Sequence, residues 1–229
     1  MKKNSSLLTR EDLPQILAST LKARVPILLY GPPGTGKTEL ARAVCQTLGS
    51  RYAHLTLPED AMVAEARGHR VPDSDGAWIW VDGPVLEAYR LGLPVILDEL
   101  DHAAPELQTW LHQVLDMTSL TLPTKETVIC ATSFAVIATM NGTPDVQMPL
   151  YNRFAVRLHI KEPLARTVDA LEEPYRTAAV RDWSPQNPST RLWYAMSRLT
   201  AHLGDSELAA ELIFPGRSAE LLDAMKLAK

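Results

Sequence analysis

Apolar positions along the chain switch repeatedly between a helical and a strand-like period. Leu13, Ile16, Leu17, Thr20 and Leu21 recur at helical spacing behind Thr9 and Asp12, which resemble a helix start, and predict an amphipathic opening helix. Short apolar runs rich in β-formers follow at residues 27–30, 53–57, 95–97, 134–139 and 155–160, and longer helix-like segments separate most of them. Such alternation predicts an α/β fold: a five-stranded, mainly parallel sheet covered on both faces.

Residues 38–48 read as a helix closed by Gly49, and residues 84–91 as another closed by Gly92. Pro105 opens a third, with Leu107, Trp110, Leu111, Val114 and Leu115 on one face. Two insertions, residues 75–82 with Trp78 and Trp80 two apart and residues 120–129 around Pro-Thr-Lys, look like short hairpins. Beyond Pro163 the strand signals stop. Helical patterns at residues 164–171, 191–203 and 218–227, broken by a proline-rich stretch at 184–188, predict a small helical lid over residues 163–229 behind an α/β domain over residues 1–162.

With 229 residues, 46% hydrophobic and 22% charged, the chain can bury an ordinary core, and neither disorder nor a fibrous repeat is indicated. Lys and Arg total 23 against 27 Asp and Glu, so the net charge of -4 supplies no global attraction to a nucleic-acid backbone. Apolar runs fall far short of the roughly 20 residues of a membrane span, and the basic, polar residues 1–6 lack the apolar segment of a secretory signal. Cys45 and Cys130 stand alone, which fits reduced thiols and a cytoplasmic protein. The six histidines show no metal-ligand spacing, and no zinc site is assigned.

The strongest chemical signal is Gly31-Pro32-Pro33-Gly34-Thr35-Gly36-Lys37-Thr38, a GxxxxGK[ST] match between a predicted strand and a predicted helix. Its glycines allow a loop whose backbone N–H groups turn toward phosphates, and the next helix adds its positive end, where Glu39 is included in the binding segment. Lys37 should reach the β- and γ-phosphates of ATP, and the Thr38 hydroxyl should coordinate Mg2+. The second signal, Pro94 to Glu99, is an apolar strand ending in two acids at the sheet's carboxyl edge. Asp98 would hold the magnesium shell and Glu99 would orient or deprotonate the attacking water. Taken alone, a strand followed by Asp-Glu reads equally as a solvated strand end.

With these residues the chain resembles the AAA+ ATPases, and within them the MoxR family, closest to the branch that activates Rubisco and nitric oxide reductase. The resemblance covers residues 27–160 well. Besides the two motifs it rests on Gly68, on Trp80-Val81-Asp82-Gly83-Pro84-Val85-Leu86, and on Asp98-Glu99-Leu100-Asp101 followed by Pro105-Glu106-Leu107-Gln108. Residues 134–141 resemble the sensor-1 strand, which implies that Asn141 contacts the γ-phosphate or the lytic water. Leu150-Tyr151-Asn152-Arg153-Phe154 resembles the arginine-finger segment, which implies that Arg153 reaches the ATP of a neighbouring subunit, with Arg157 as the alternative. The family more often has Asp where Asn152 stands. Ser189-Thr190-Arg191 resembles the sensor-2 segment and implies a γ-phosphate contact for Arg191, whose other reading is an ordinary helix-start arginine.

The resemblance further implies a ring homo-oligomer, a hexamer, that remodels or activates a client protein with a partner carrying a von Willebrand factor A domain. It makes the two insertions surfaces for the client or the ring lining. By alternation Trp78 and Trp80 share one side of a strand, where they serve either a partner or the domain's own packing. A nucleic-acid motor would use the same ATP site but needs a basic stripe that neither insertion carries. A nucleotide-dependent scaffold without turnover is disfavoured by the joint presence of Lys37, Asp98, Glu99, Asn141 and Arg153.

Overall fold

The computed structural model describes residues 11–49, 51–142, 146–181 and 189–226. The readings placed on residues 1–6, Thr9, 184–188 and Leu227 lie outside them. By contacts the chain divides into two compact units, one of Glu11–Tyr30 with Thr38–His159, the other including Gly31–Lys37 and Ile160–Lys229.

In the first unit, α1 (Leu13–Lys22) leads into β1 (Ile27–Gly31), α2 (Lys37–Thr47), β2 (Ala53–Thr56) and the short α3 (Val63–Arg67). A hairpin of β3 (Gly68–Pro72) and β4 (Trp78–Asp82) follows, then α4 (Pro84–Leu91), β5 (Pro94–Asp98) and a 3-10 turn (Leu100–His102). After α5 (Pro105–Leu115) comes the second hairpin, β6 (Ser119–Thr121) and β7 (Thr127–Ile129), and then β8 (Ala135–Asn141), α6 (Met148–Arg153) and β9 (Val156–His159). The sheet order is β2-β5-β8-β1-β9, and the pairings of β1 with β9, β2 with β5 and β5 with β8 are parallel.

The five strands stand where the apolar runs predict them. Each central strand is buried on both faces, as in Pro94–Leu97 and Ala135–Met140, so its sequence reads as a continuous apolar run rather than an alternation. One core cluster gathers Leu28, Val95, Leu97, Val136 and Ala138 of the sheet with Leu86 and Tyr89 of α4 and Leu107, Leu111 and Val114 of α5. Burying one such Leu or Val side chain is worth about 1.5–3 kcal/mol. α4 begins on Pro84 at its first turn and ends on Gly92 in the left-handed conformation, as its flanking residues dictate.

The first hairpin is longer than residues 75–82, because Gly68–Pro72 supplies its other strand, with Arg70 opposite Trp80 and Pro72 opposite Trp78. α3, α6 and the 3-10 turn were not expected. Each spans two turns or fewer, too short for a helical period to register.

The second unit has its own core. Val168 of α7 (Ala165–Val168), Tyr175, Ala178 and Ala179 of α8 (Tyr175–Arg181), and Trp193 and Met196 of α9 (Thr190–Leu203) pack with Ala209 and Ala210 of α10 (Ser206–Ile213) and Leu221 and Ala224 of α11 (Ser218–Lys226). α9 and α11 follow the predicted helices, residues 164–171 shorten to α7, and α8 and α10 are additions. Their buried faces are mostly alanine, which reads weakly as apolar although a close helix contact needs it.

Candidate nucleotide site

β1 runs into the glycine loop and the loop into α2, so Lys37 is the first residue of that helix. Within the loop Lys37 is 6% exposed, and its ammonium donates to the carbonyls of Gly31 (3.0 Å) and Pro32 (2.8 Å). Thr35 is fully buried; its hydroxyl donates to Pro32 O at 3.0 Å, and its carbonyl accepts from the Leu164 amide at 3.2 Å.

Gly34 and Gly36 carry positive φ of 76° and 91°. They are also where the loop meets the helical segments of its own unit. A Cβ on Gly34 would stand 2.9 Å from Cβ of Ser189, and one on Gly36 would collide with the Thr167 hydroxyl of α7. Both the left-handed backbone and the close approach therefore demand glycine. The hydroxyls of Thr167 and Thr190 are buried without a hydrogen-bond partner among the described residues. Unsatisfied buried hydroxyls beside a loop of glycines are the polar capacity a phosphate chain would use. Arg191 follows Thr190 in the first turn of α9 and is exposed.

Thr38, Asp98, Glu99 and Thr139 form one network in the first unit. The Thr38 hydroxyl donates to Asp98 Oδ1 at 2.9 Å, with Oδ2 at 3.3 Å, and the Thr139 hydroxyl donates to the same Oδ1. Thr139 in turn accepts the backbone N–H of Glu99 at 3.2 Å. His54 of β2 places Nε2 3.4 Å from Asp98 Oδ2. Strand register accounts for these meetings, since β5 lies between β2 and β8 and Thr56 pairs with Asp98.

Glu99 is a non-glycine residue at φ 61° and ψ 47°. That conformation costs of the order of 1–3 kcal/mol and persists where neighbours impose it. Here the Thr139 bond holds its amide, and the 3-10 turn holds its carbonyl through the His102 N–H at 3.0 Å. Two residues on, Asp101 accepts the Asn141 amide on both carboxylate oxygens, at 3.3 and 3.2 Å.

Arg153 ends α6. Its Nε donates to Asp116 Oδ1 at 2.5 Å, at the end of α5. Buried Gln108 of α5 fixes the start of α6 by accepting the Gln147 amide at 2.8 Å. Arg157 lies with its guanidinium 4.6 Å from the Tyr151 ring, and Asn152 is exposed. Glu39 is exposed on α2 and pairs with Arg42 at 2.6 Å.

Of the predicted site residues, Thr38, Asp98 and Glu99 are thus drawn into one network, and Asn141 is joined to its edge through Asp101. The hard oxygens of Thr38 and Asp98 side by side fit a magnesium ion, which takes few protein ligands and completes its shell with phosphate and water. Among the described residues no group of three His, Cys, Asp or Glu side chains is gathered for a metal. Sequence reasoning gave no role of their own to Thr139, Asp101, His54 and Asp116. Thr139 carried a signal, because strand alternation puts it on the face of Asn141; the others depend on which strands and helices become neighbours.

The Trp pair separates. Trp80 packs at the core's edge and its Nε1 donates to Asp82 at 2.6 Å, while Trp78 is 67% exposed.

A parallel α/β sheet in which a glycine loop joins β1 to α2, and the acid ending β5 meets the Thr38 hydroxyl, defines an AAA+ ATPase-type domain. Residues 26–154 match the AAA domain (dynein-related subfamily), and the chain belongs to that family. An uncharacterized protein of Staphylococcus saprophyticus is 34% identical over 148 residues, 60% of this chain and 56% of its own length. Midasin of Dictyostelium discoideum is 30% identical over 161 residues, 67% of this chain and 3% of midasin. The chain spans about half the length of the staphylococcal relative it matches. NtrX of Brucella abortus shares the fold, with a TM-score of 0.58 at 18% identity over 98% of this chain and 51% of NtrX; NtrX structures with ADP and with ATP match similarly, at 0.56 and 0.55. Among the described residues no helix is long and apolar enough to cross a membrane.

Proposed function

We propose that the chain is the motor domain of a MoxR-type AAA+ ATPase that hydrolyses ATP with Mg2+ at subunit interfaces of a ring, a hexamer, and remodels or activates a client protein in the cytoplasm. The observation that carries the reading is the joining of Thr38, which ends the phosphate loop, to Asp98 by a 2.9 Å hydrogen bond, with Glu99 fixed beside it through Thr139.

In this reading the loop amides from Gly31 to Thr38 bind the phosphates, and Lys37 exchanges its loop carbonyls for phosphate oxygens. Thr38 and Asp98 hold the magnesium ion, which when bound neutralises charge on the β- and γ-phosphates. Glu99 orients the lytic water and takes its proton, Asn141 contacts that water or the γ-phosphate, and Arg191, from a helical lid of residues 163–229, senses the γ-phosphate. Arg153 serves the site of the neighbouring subunit, where a positive charge in trans is worth about 10³–10⁵ in rate in related phosphoryl-transfer enzymes. The two hairpins face the client, and a von Willebrand factor A partner completes the assembly.

The test is steady-state ATP hydrolysis against protein concentration, with Arg153→Ala alone or mixed with Glu99→Gln. Specific activity that rises with concentration, falls in Arg153→Ala and returns in part in the mixture is expected. Activity independent of concentration and of Arg153 would remove the shared site.

A further inference from the structure

Resting on the ATPase reading above, we infer that Asp101 is a positioning residue for hydrolysis: its carboxylate grips the backbone amide of Asn141 and so sets the geometry between Asn141 and Glu99. The end of β5 and the end of β8 are tied at successive levels. Asp98 receives the Thr139 hydroxyl, Thr139 receives the Glu99 amide, and Asp101 receives the Asn141 amide at 3.2 and 3.3 Å. The first two ties act on the acid side. Only the third reaches Asn141.

The grip comes from a side chain that is itself held. Asp101 lies in the 3-10 turn that follows the left-handed Glu99, and its side chain is 13% exposed. A mostly buried carboxylate that accepts a backbone amide makes a charge-assisted bond, stronger than a neutral one. Its other neighbour is His102, with Nε2 at 3.9 Å from Oδ2, beyond hydrogen-bond range. Asn141 is the last residue of β8 and is followed by Gly142 in the left-handed conformation. Without Asp101, the Asn141 amide loses its acceptor at the point where its side chain must meet the γ-phosphate or water. Misplacement of about 1 Å at such a site costs about 100-fold in rate.

The substitutions separate this role from plain stabilisation. Asp101→Asn keeps an oxygen that can accept the amide, whereas Asp101→Ala and Asp101→Ser cannot reach it. In the full chain, ATP turnover, ATP affinity by nucleotide titration and thermal unfolding are measured for each variant and for Asn141→Ala. Asp101→Ala and Asp101→Ser are expected to lower kcat by about 10- to 100-fold with ATP affinity within about 3-fold of wild type, and Asp101→Asn to stay within about 3-fold in kcat. Adding Asp101→Ala to Asn141→Ala should slow turnover by no more than about 2-fold further, because both act through one group.

Multiplicative effects in the double variant, Asp101→Asn as slow as Asp101→Ala, or a loss confined to affinity would each overturn the assignment. So would failure of both Asp101→Ala and Asp101→Ser to fold, which would make the residue structural. A wild-type protein that binds ATP without turnover would instead defeat the ATPase reading, and the positioning role with it.

Discussion

Arg153 and Asp116 form an ion pair within the chain, with Nε and Oδ1 2.5 Å apart at the ends of α6 and α5. Both side chains are about two-fifths exposed, at 40% and 38%, so solvent screens the pair and its worth to stability is small, about 0–1 kcal/mol. Asp116→Asn is therefore expected to leave the unfolding temperature within about 3 °C of wild type. If Arg153 must leave Asp116 to reach a neighbour's nucleotide, the same variant lowers the protein concentration at which ATP hydrolysis becomes half-maximal. A rise in that concentration would mean that Asp116 presents the arginine instead of restraining it.

Lys37→Ala removes a buried ammonium that donates to the loop carbonyls of Gly31 and Pro32. A charged hydrogen bond contributes about 1.5–3 kcal/mol, so ATP affinity should fall by about 10- to 150-fold. Equilibrium titration with a fluorescent ATP analogue checks it; unchanged affinity would mean that the lysine does not contact phosphate.

Gly36→Ala places a methyl group in the Thr167 hydroxyl on a backbone at φ 91°. Strain and overlap together should cost about 1–3 kcal/mol and weaken nucleotide binding. In Gly36→Ala/Thr167→Ala the overlap is relieved but the strain is not, so denaturant unfolding should show partial recovery only.

Arg90 ties the two hairpins to α4, donating from Nε to Asp82 at 2.6 Å and through Nη1 and Nη2 to Glu126 at 2.6 and 2.9 Å. Its hydrogen bonds to Glu126 and Asp82 push its pKa upward against the cost of burial. Lysine has no planar fork to reproduce three such donations. Arg90→Lys and Arg90→Ala should both speed hydrogen exchange at residues 68–82 and 119–129, by about 10-fold for a loss of about 1.4 kcal/mol. Exchange unchanged in both would show that the hairpins are held by other contacts.

Burial pushes the Cys45 thiol up to about 12, and burial also raises Cys130 despite the nearby Arg24. Both should resist a thiol reagent at pH 8 in the folded protein and react on unfolding. The unfolded chain releases the Cys45 proton near pH 8.5 while the folded chain keeps it. This group's contribution is therefore intact below about pH 8.5 and declines as the pH rises toward 12. Denaturant unfolding of Cys45→Ala against wild type across that range checks the slope.

Local order alone settled much of this chain. A glycine loop ending in Lys37-Thr38 and a buried strand ending in Asp98-Glu99 are contiguous stretches, and backbone sterics, strand burial and helix-terminus charge act over a few residues, so the motifs, the five strands and the long helices could be read directly. Short α3 and α6, the alanine-faced α8 and α10 and the full extent of the first hairpin escaped, because two turns or a row of small residues leave no clear period. Tertiary structure alone decided the partners. That Asp98 receives Thr38 and Thr139 and faces His54, that Asp101 holds Asn141 and that Asp116 holds Arg153 all follow from strand order and helix packing, which join residues 37 to 60 positions apart. No spacing in the sequence encodes those distances; they arise when the apolar faces are buried together.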